Sequence, residues 1–418
     1  MKIQKDITKE VELDTLISRS PYYLAFRKFL RHPLAKWGGI ILIILYTLII
    51  FAEFIAPYGF RSDIKGKSYM QPVKLHFFDE FGRFHLQPFI YNYVEKRNPK
   101  TFRKYFVEEI EVNPEAKKYP VKFFVRGEEY LFLSIKGLKS DIHLFGIELD
   151  KTEQNDDCRP ILALLGTDQY GRDLLSRIIF GGRISLTIGL VGFAITFILG
   201  LFFGGLSGYF GGFTDITIQR AIEMIMLFPS FYLLLTLRAA IPSNISSVKV
   251  YFIITLIMSF IGWAGLARVI RGMVLSISQR EYVLAARAQG VGTLTIIRRH
   301  ILPNTFSYAI VAATISIPLY MVAESGLSFL NLGIQEPYAS WGNMLSSAQA
   351  VTEIKLHPWT LIPGALIFIS VVAFQFLGDG LRDAFDPKTV IAPKKSEFEK
   401  IIRKHKSKSI LQDFALKK

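Results

Sequence analysis

Four stretches of the chain run without a charged residue for lengths that suit a bilayer: 184–214, 250–267, 304–323 and 359–378. About 18 or more mostly apolar residues are needed to cross the hydrocarbon core. Two further stretches are interrupted only slightly, 37–56 by Glu53 and 221–240 by Glu223 and Arg238. A buried helix of a soluble protein usually keeps a polar face, and these runs are apolar all round. The pattern therefore predicts an all-α polytopic membrane protein with six transmembrane helices. Pro229 is predicted to kink the third. The first span begins after a long charged leader and has no small-residue cleavage pattern behind it, so it is not read as a cleavable signal peptide.

Between the first two spans the pattern changes. Residues 57–182 alternate in polarity, and 74–86 and 121–133 each read as two short strands about a glycine, Gly82 and Gly127. The segment is predicted to be a β-rich insert. Ahead of the first span, 1–36 form a leader in which Phe26, Phe29 and Leu30 recur at helical spacing beside Arg27, Lys28 and Arg31. That is the pattern of an amphipathic helix lying on a membrane surface.

Charge adds orientation. The 418 residues carry a formal charge of +15, which in a soluble protein would suggest nucleic acid. Here the basic residues sit in flanks and loops, where they set topology, and no nucleic-acid partner is expected. The leader, the loop with Arg271, Arg280, Arg287, Arg298 and Arg299, and the tail 389–418 are rich in Lys and Arg. The loops around Ser243 and Pro337 are poor in both. Both termini and the basic loop are thus predicted to be cytoplasmic, and the insert extracytoplasmic, since long loops translocate largely regardless of charge. The tail suits a surface near anionic membrane lipid. The single cysteine, Cys158, excludes an intrachain disulfide, and the seven histidines show no metal-ligand spacing. No phosphate-cradling Gly-x-x-x-x-Gly-Lys-Ser/Thr loop occurs. The chain is read as no enzyme, with no cofactor.

Residues 281–304 carry the chemistry of interest. Ala285, Ala286 and Ala288 favour a short helix. Gly290 and Gly292 break it and permit positive φ, a second helix follows, and Pro303 is predicted to close the segment before the next span. A helix–turn–helix unit with small residues, placed between spans, is shaped to dock into a cleft or to serve as an ordinary hairpin loop. The segment resembles the coupling loop of ATP-binding-cassette importer permeases: Glu-Ala-Ala, three residues, Gly, nine residues, Ile, one residue, Leu-Pro. Ala285, Ala286, Gly290, Leu302 and Pro303 fall on that spacing, while Leu284 replaces the Glu and His300 the Ile. Leu165 to Arg177, with Gly-Thr-Asp and Gly-Arg-Asp, resembles the entry to span two of the second permease of the dipeptide, oligopeptide and nickel branch. Gly208 to Asp215, Glu324 to Leu330 and Leu381 to Pro387 agree with that branch.

The resemblance covers 165–388 and the leader around His32, and implies a type I importer permease core at 183–388. It implies four kinds of partner: a second homologous permease, two cytoplasmic ATP-binding subunits, an extracytoplasmic solute-binding protein and membrane lipid. The location implied is a bacterial inner membrane. Peptides are the implied substrates, with nickel as the alternative. The implied contacts to the ATPases are Ala285, Ala286, Arg287, Gly290, Leu302 and Pro303. Glu223 and Glu324, charged groups beside spans, are candidates for the translocation path. Two other classes of protein would leave different marks. An ATPase-independent channel or secondary transporter would show midplane charges or internal repeats. A membrane-anchored enzyme would need a catalytic pair in the insert, where only the doublet Asp156-Asp157 stands out.

Overall fold

The computed structural model describes residues 26–385 apart from 27, 136, 150–158 and 243–244. The start of the predicted amphipathic leader, Ser243, Cys158, the doublet Asp156-Asp157 and the tail 389–418 lie outside them.

Among the described residues, five helical stretches are long and apolar enough to cross a membrane, or six if one bent pair counts as a span. The first is α1 (Pro33–Ile50), followed by the single turn α2 (Ala52–Ile55). After the insert come α3 (Leu174–Phe210), the bent pair α4 (Gly212–Met226) and α5 (Ser230–Ala239), and α6 (Ser247–Ser278). Two short helices, α7 (Glu281–Ala288) and α8 (Thr293–Ile296), precede α9 (Leu302–Phe329). Next are α10 (Trp341–Ser346), α11 (Val351–Leu356) and α12 (Ile362–Phe385).

The span predicted at 221–240 is two helices bent by 79°. Pro229 supplies the reason: it lacks an N–H, disfavours helical backbone at Phe228, and takes an extended ψ of 121° where α5 begins. Helices α3, α6, α9 and α12 are longer than their apolar runs. At 1.5 Å per residue the 37 residues of α3 reach about 55 Å, well beyond a hydrocarbon core of about 30 Å. The basic loop predicted between spans four and five is accordingly mostly helix. Arg271 lies inside α6, and Arg298 and Arg299 lie in a π-helical turn, Ile297–Ile301, that leads into α9.

Glycine sets the central contact. On α3, Gly200, Gly204 and Gly208 recur every fourth residue against α6. A Cβ at Gly204 would stand 2.6 Å from the carbonyl oxygen of Ala267, and one at Gly208 2.7 Å from that of Arg271. Small residues at this spacing let helix backbones approach closely in membranes. A second cluster gathers Leu45, Ile49, Leu186, Met321 and Trp341 where α1, α3, α9 and α10 meet.

The insert folds as two antiparallel sheets. One has the order β1 (His76–Phe78), β2 (Phe84–Ile90), β5 (Tyr119–Leu131), β6 (Lys139–Ile147); the other pairs β3 (Tyr93–Arg97) with β4 (Lys104–Glu108). Met70, Ile90, Tyr93, Ile161 and Leu162 form its core. The predicted turn at Gly82 joins β1 to β2, with φ +72°. The turn predicted at Gly127 does not exist. Gly127 lies within the 13-residue β5, beside a register shift, and the hairpin closes instead at 132–138, where Gly137 has φ +113°. Gly127 is there for proximity: a Cβ would stand 2.7 Å from the ring of His143 on β6.

Helix α3 starts at Leu174, ahead of the boundary predicted at 182, because Asp173 caps it by accepting from Ser176 N–H at 2.8 Å. The charge of Arg177 hides this first turn from a hydropathy reading. Burial pushes the Asp173 carboxyl up to about 6. Between the ordinary carboxylate value of about 4 and 6, the folded protein holds a proton that the unfolded chain has lost. This group therefore erodes stability as pH rises through that window, by up to about 3 kcal/mol for two pKa units. Asp173→Asn keeps a capping oxygen and removes the titration. Thermal melts of the detergent-solubilised protein are expected to show a smaller fall between pH 4 and 6 for this variant than for the parent.

By contacts the chain divides into two units, 1–37 with 376–418, and 38–375. In the first, His32 lies 3.7 Å from Asp383, and Gly380 on α12 leaves room for Ala35. Residues 26 and 28–29 are helical; Phe26 and Leu30 are exposed and Phe29 is half-buried.

Candidate functional site

The segment 281–304 folds as a helical hairpin built on the end of α6. Val283 and Ala286 of α7 are buried with Ile270, Val274 and Ile277 of α6 and with Ile296 and Ile301. The chain leaves α7 through a left-handed residue, Gly290, at φ +77°. Val291 N–H donates to the carbonyl of Ala286 at 3.1 Å, and Gly290 N–H to that of Arg287 at 3.0 Å. This pair of bonds defines a Schellman termination, which wants glycine at its left-handed position. Around Gly290 a Cβ would meet nothing within 4 Å, so backbone conformation alone demands glycine within this chain.

The predicted coupling residues do not share one surface. Ala285, Arg287 and Gly290 are exposed, and the Arg287 guanidinium lies 5.3 Å above the ring of Tyr209 at the end of α3. Ala286 is buried inside the hairpin. Leu302 is half-buried, with its side chain near Gly205 of α3. Pro303, predicted to stop the segment, instead sits in the first turn of α9. A proline is tolerated there because the first turn's N–H groups have no partner within their own helix. The exposed face of the hairpin also carries two apolar residues outside the predicted contact set, Leu284 (44% exposed), which stands at the motif's Glu position, and Leu294 (78% exposed), which lies between its marked positions. An uncovered leucine in a strongly basic segment was the available signal.

The two acidic candidates differ sharply. Glu223 is exposed on α4 and pairs with Arg220 at 2.8 Å. Glu324 has no exposed surface. It accepts from Ser328 Oγ at 2.6 Å, with Ser185 and Ser325 hydroxyls at 3.4 Å, and Ser185 in turn accepts from Trp341 N–H at 3.0 Å. Glu324 thus knits α9 to α3 and α10 and faces no open surface of this chain.

Three ion-pair assemblies escaped the sequence reading. Arg172 grips Glu336 with both terminal nitrogens, at 2.6 and 3.0 Å, while its Nε reaches Asp168 at 2.8 Å and Arg177 adds a bond to Glu336 at 3.0 Å. Arg271 holds Asp215 bidentately at 2.5 Å. Arg183 binds Glu53 with two nitrogens and donates to the carbonyls of Ile49 and Ile50. Asp168 is four residues from Arg172, but Asp215, Glu53 and Glu336 lie 56 to 164 residues from the arginines they bind, so local spacing gave no cue to the assemblies. Among the described residues no group of three or more His, Cys, Asp or Glu side chains is placed to hold a metal ion.

Comparison with known proteins gives this architecture a family. Residues 173–391 match the model described as binding-protein-dependent transport system inner membrane component, and 20–72 match the N-terminal transmembrane domain of oligopeptide transport permease C. The oligopeptide transport system permease protein OppC of Haemophilus influenzae is 43% identical over 224 residues, 53% of this chain and 70% of that protein. The dipeptide transport system permease protein DppC of Bacillus subtilis is 42% identical over the same share of this chain and 68% of its own length. OppC of Bacillus subtilis is 36% identical, with 71% of its length covered. With more than half of its length matched by the family model and its apolar helices in the expected region, the chain belongs to the binding-protein-dependent transport system inner membrane components, the integral permeases of ATP-binding-cassette importers.

Proposed function

We propose that this chain is one of two permease subunits through which an ATP-driven importer moves peptides across a bacterial inner membrane. The observation that carries the reading is the hairpin 281–301. A Schellman-terminated helix packs on the end of α6 and leaves Leu284, Ala285 and Leu294 uncovered. Such a surface suits insertion into a cleft of an ATP-binding subunit, with Arg287 and Gly290 at its rim and Ala286, Leu302 and Pro303 holding its shape from behind. Closure of two ATP-binding subunits would move the hairpins, and with them α6 and α9, as rigid bodies between two arrangements.

In this reading the bent pair α4–α5 counts as the sixth span. Both termini and the hairpin face the cytoplasm, and the insert lies on the other side, where a solute-binding protein delivers peptide. Of the two acidic candidates, exposed Glu223 fits a path-lining position, and Glu324 serves it indirectly by fixing α9 against α3. Peptide as the solute is supported by the names of the relatives, which are oligopeptide and dipeptide permeases. The test is uptake by proteoliposomes holding the complete importer and its binding protein. Labelled oligopeptide, supplied outside with the binding protein, is expected to accumulate only when ATP is enclosed on the hairpin side, and nickel not to accumulate. ATP-dependent nickel uptake without peptide uptake would overturn the substrate assignment.

A further inference from the structure

We infer that the tip of the insert's longest hairpin is a membrane-interface anchor: the β5–β6 turn dips its apolar side chains into the lipid surface beside the end of α1. The inference starts from the placement of that turn. Phe51 continues the last turn of α1, its N–H bonded to the carbonyl of Thr47 at 3.1 Å, so it marks the level at which a membrane span ends. The ring of Phe132, in the turn, lies 5.7 Å from that of Phe51. Farther from the turn along β5, Phe124 lies 6.2 Å from Phe54 of α2. His143 of β6 fixes the sheet to the same place, through Nδ1 and the carbonyl of Ala56 at 2.6 Å. The turn is therefore held at the boundary where α1 leaves the hydrocarbon.

The side chains it presents there are those of a lipid-facing surface. Leu133, Ile135 and Leu138 are 43%, 49% and 52% exposed. A polar hairpin tip is what water selects; this one reads Leu-Phe-Leu-Ser-Ile-Lys-Gly-Leu-Lys from 131 to 139. Leu133 is held at φ +49°, a left-handed conformation that leucine adopts only at a cost. With 43% of its surface outside the chain, Leu133 has apolar area left that insertion into lipid would bury. Exposed Lys139 follows the apolar turn, as a cation suited to headgroup phosphates beside buried apolar side chains. Ile50 and Phe51, 45% and 43% exposed on the adjoining helix end, continue the same apolar surface. Lipid is the occupant because this surface is continuous with a membrane span. A second exposed apolar group on the insert, around Phe84 and Leu86 of β2, belongs to a strand that, among the described residues, meets no span end through a ring contact or hydrogen bond. The inference depends neither on the solute moved nor on which membrane face the insert occupies.

The single native cysteine makes the test direct. In a Cys158→Ser background, Ile135→Cys and Leu86→Cys are each labelled with an environment-sensitive fluorophore, and the full chain is reconstituted into phosphatidylethanolamine–phosphatidylglycerol vesicles. Quenching is compared between lipid carrying a shallow doxyl group and aqueous iodide. The label at Ile135 is expected to be blue-shifted, to be quenched at least twofold more by doxyl lipid than the label at Leu86, and to be shielded from iodide. Iodide quenching at Ile135 equal to that at Leu86, without doxyl quenching, would place the tip in water and overturn the inference. Quenching by neither would mean that protein covers the tip, and would overturn it equally. Both variants are checked for unchanged elution and melting, so that a misfolded chain is not read as an outcome.

Discussion

Gly290→Val is expected to leave the chain at normal levels in the membrane and to cut peptide uptake by about tenfold or more. The spans are untouched, because the substitution lies between α7 and α8 and a Cβ there meets nothing in the chain. The effect comes from the backbone. At φ +77° an L-residue costs about 1–2 kcal/mol, and a β-branched one is a clear outlier. Relief of that strain means breaking the two bonds that end α7, Val291 to Ala286 and Gly290 to Arg287. A shift of about 1.4 kcal/mol is tenfold in the population of the docking-competent hairpin. Asparagine tolerates the left-handed region better, so Gly290→Asn is expected to retain more uptake than Gly290→Val. Gln289→Ala, exposed at the end of α7, is expected to change little. Uptake and co-purification of the ATP-binding subunits, measured together, separate a docking defect from a failure to insert.

The second large effect concerns stability. Arg183 on α3 binds Glu53 on α2 and also donates to the carbonyls of Ile49 and Ile50, which have no helical partner at the end of α1. Glu53 is only 6% exposed. Arg183→Met leaves a buried carboxylate and two carbonyls without their donor. Breaking a buried pair in this way costs about 3–5 kcal/mol, and the partial exposure of Arg183 favours the lower end. Adding Glu53→Gln removes the stranded charge and is expected to recover about half of the loss. The check is the thermal midpoint of the two single variants and the double variant in detergent. Additive losses would show that the two side chains do not act as a pair.

How much of this was legible in the sequence follows from what is local. The apolar runs located α1, α3, α6, α9 and α12, because membrane burial acts on each helix by itself. Gly290 was readable for the same reason: a helix end needing positive φ is decided within a few residues. Gly127 misled, since a glycine in an alternating stretch signals either a turn or a close approach, and the ring of His143 that decides between them is 16 positions away. Pro229 announced a break, but whether the halves stay roughly collinear or bend by 79° depends on packing against α6. Glu324 looked like a charged residue at a span end. Its hydroxyl surroundings come partly from Ser185, 139 residues earlier, and no spacing rule reaches that far.

The central claim is that the hairpin 281–301 is the seat of the ATP-binding subunits, and Leu294 tests it most directly. Leu294 is 78% exposed on α8 and, among the described residues, is not part of the buried cluster that holds the hairpin to α6. A Leu294→Cys variant in the Cys158→Ser background, assembled with its complex in membranes, is treated with a short thiol-to-amine crosslinker. The account predicts crosslinking to the ATP-binding subunits, with a yield that changes when ATP is added, and none from Leu86→Cys on the insert. Failure of Leu294→Cys to capture an ATP-binding subunit in a complex that still imports peptide would contradict it.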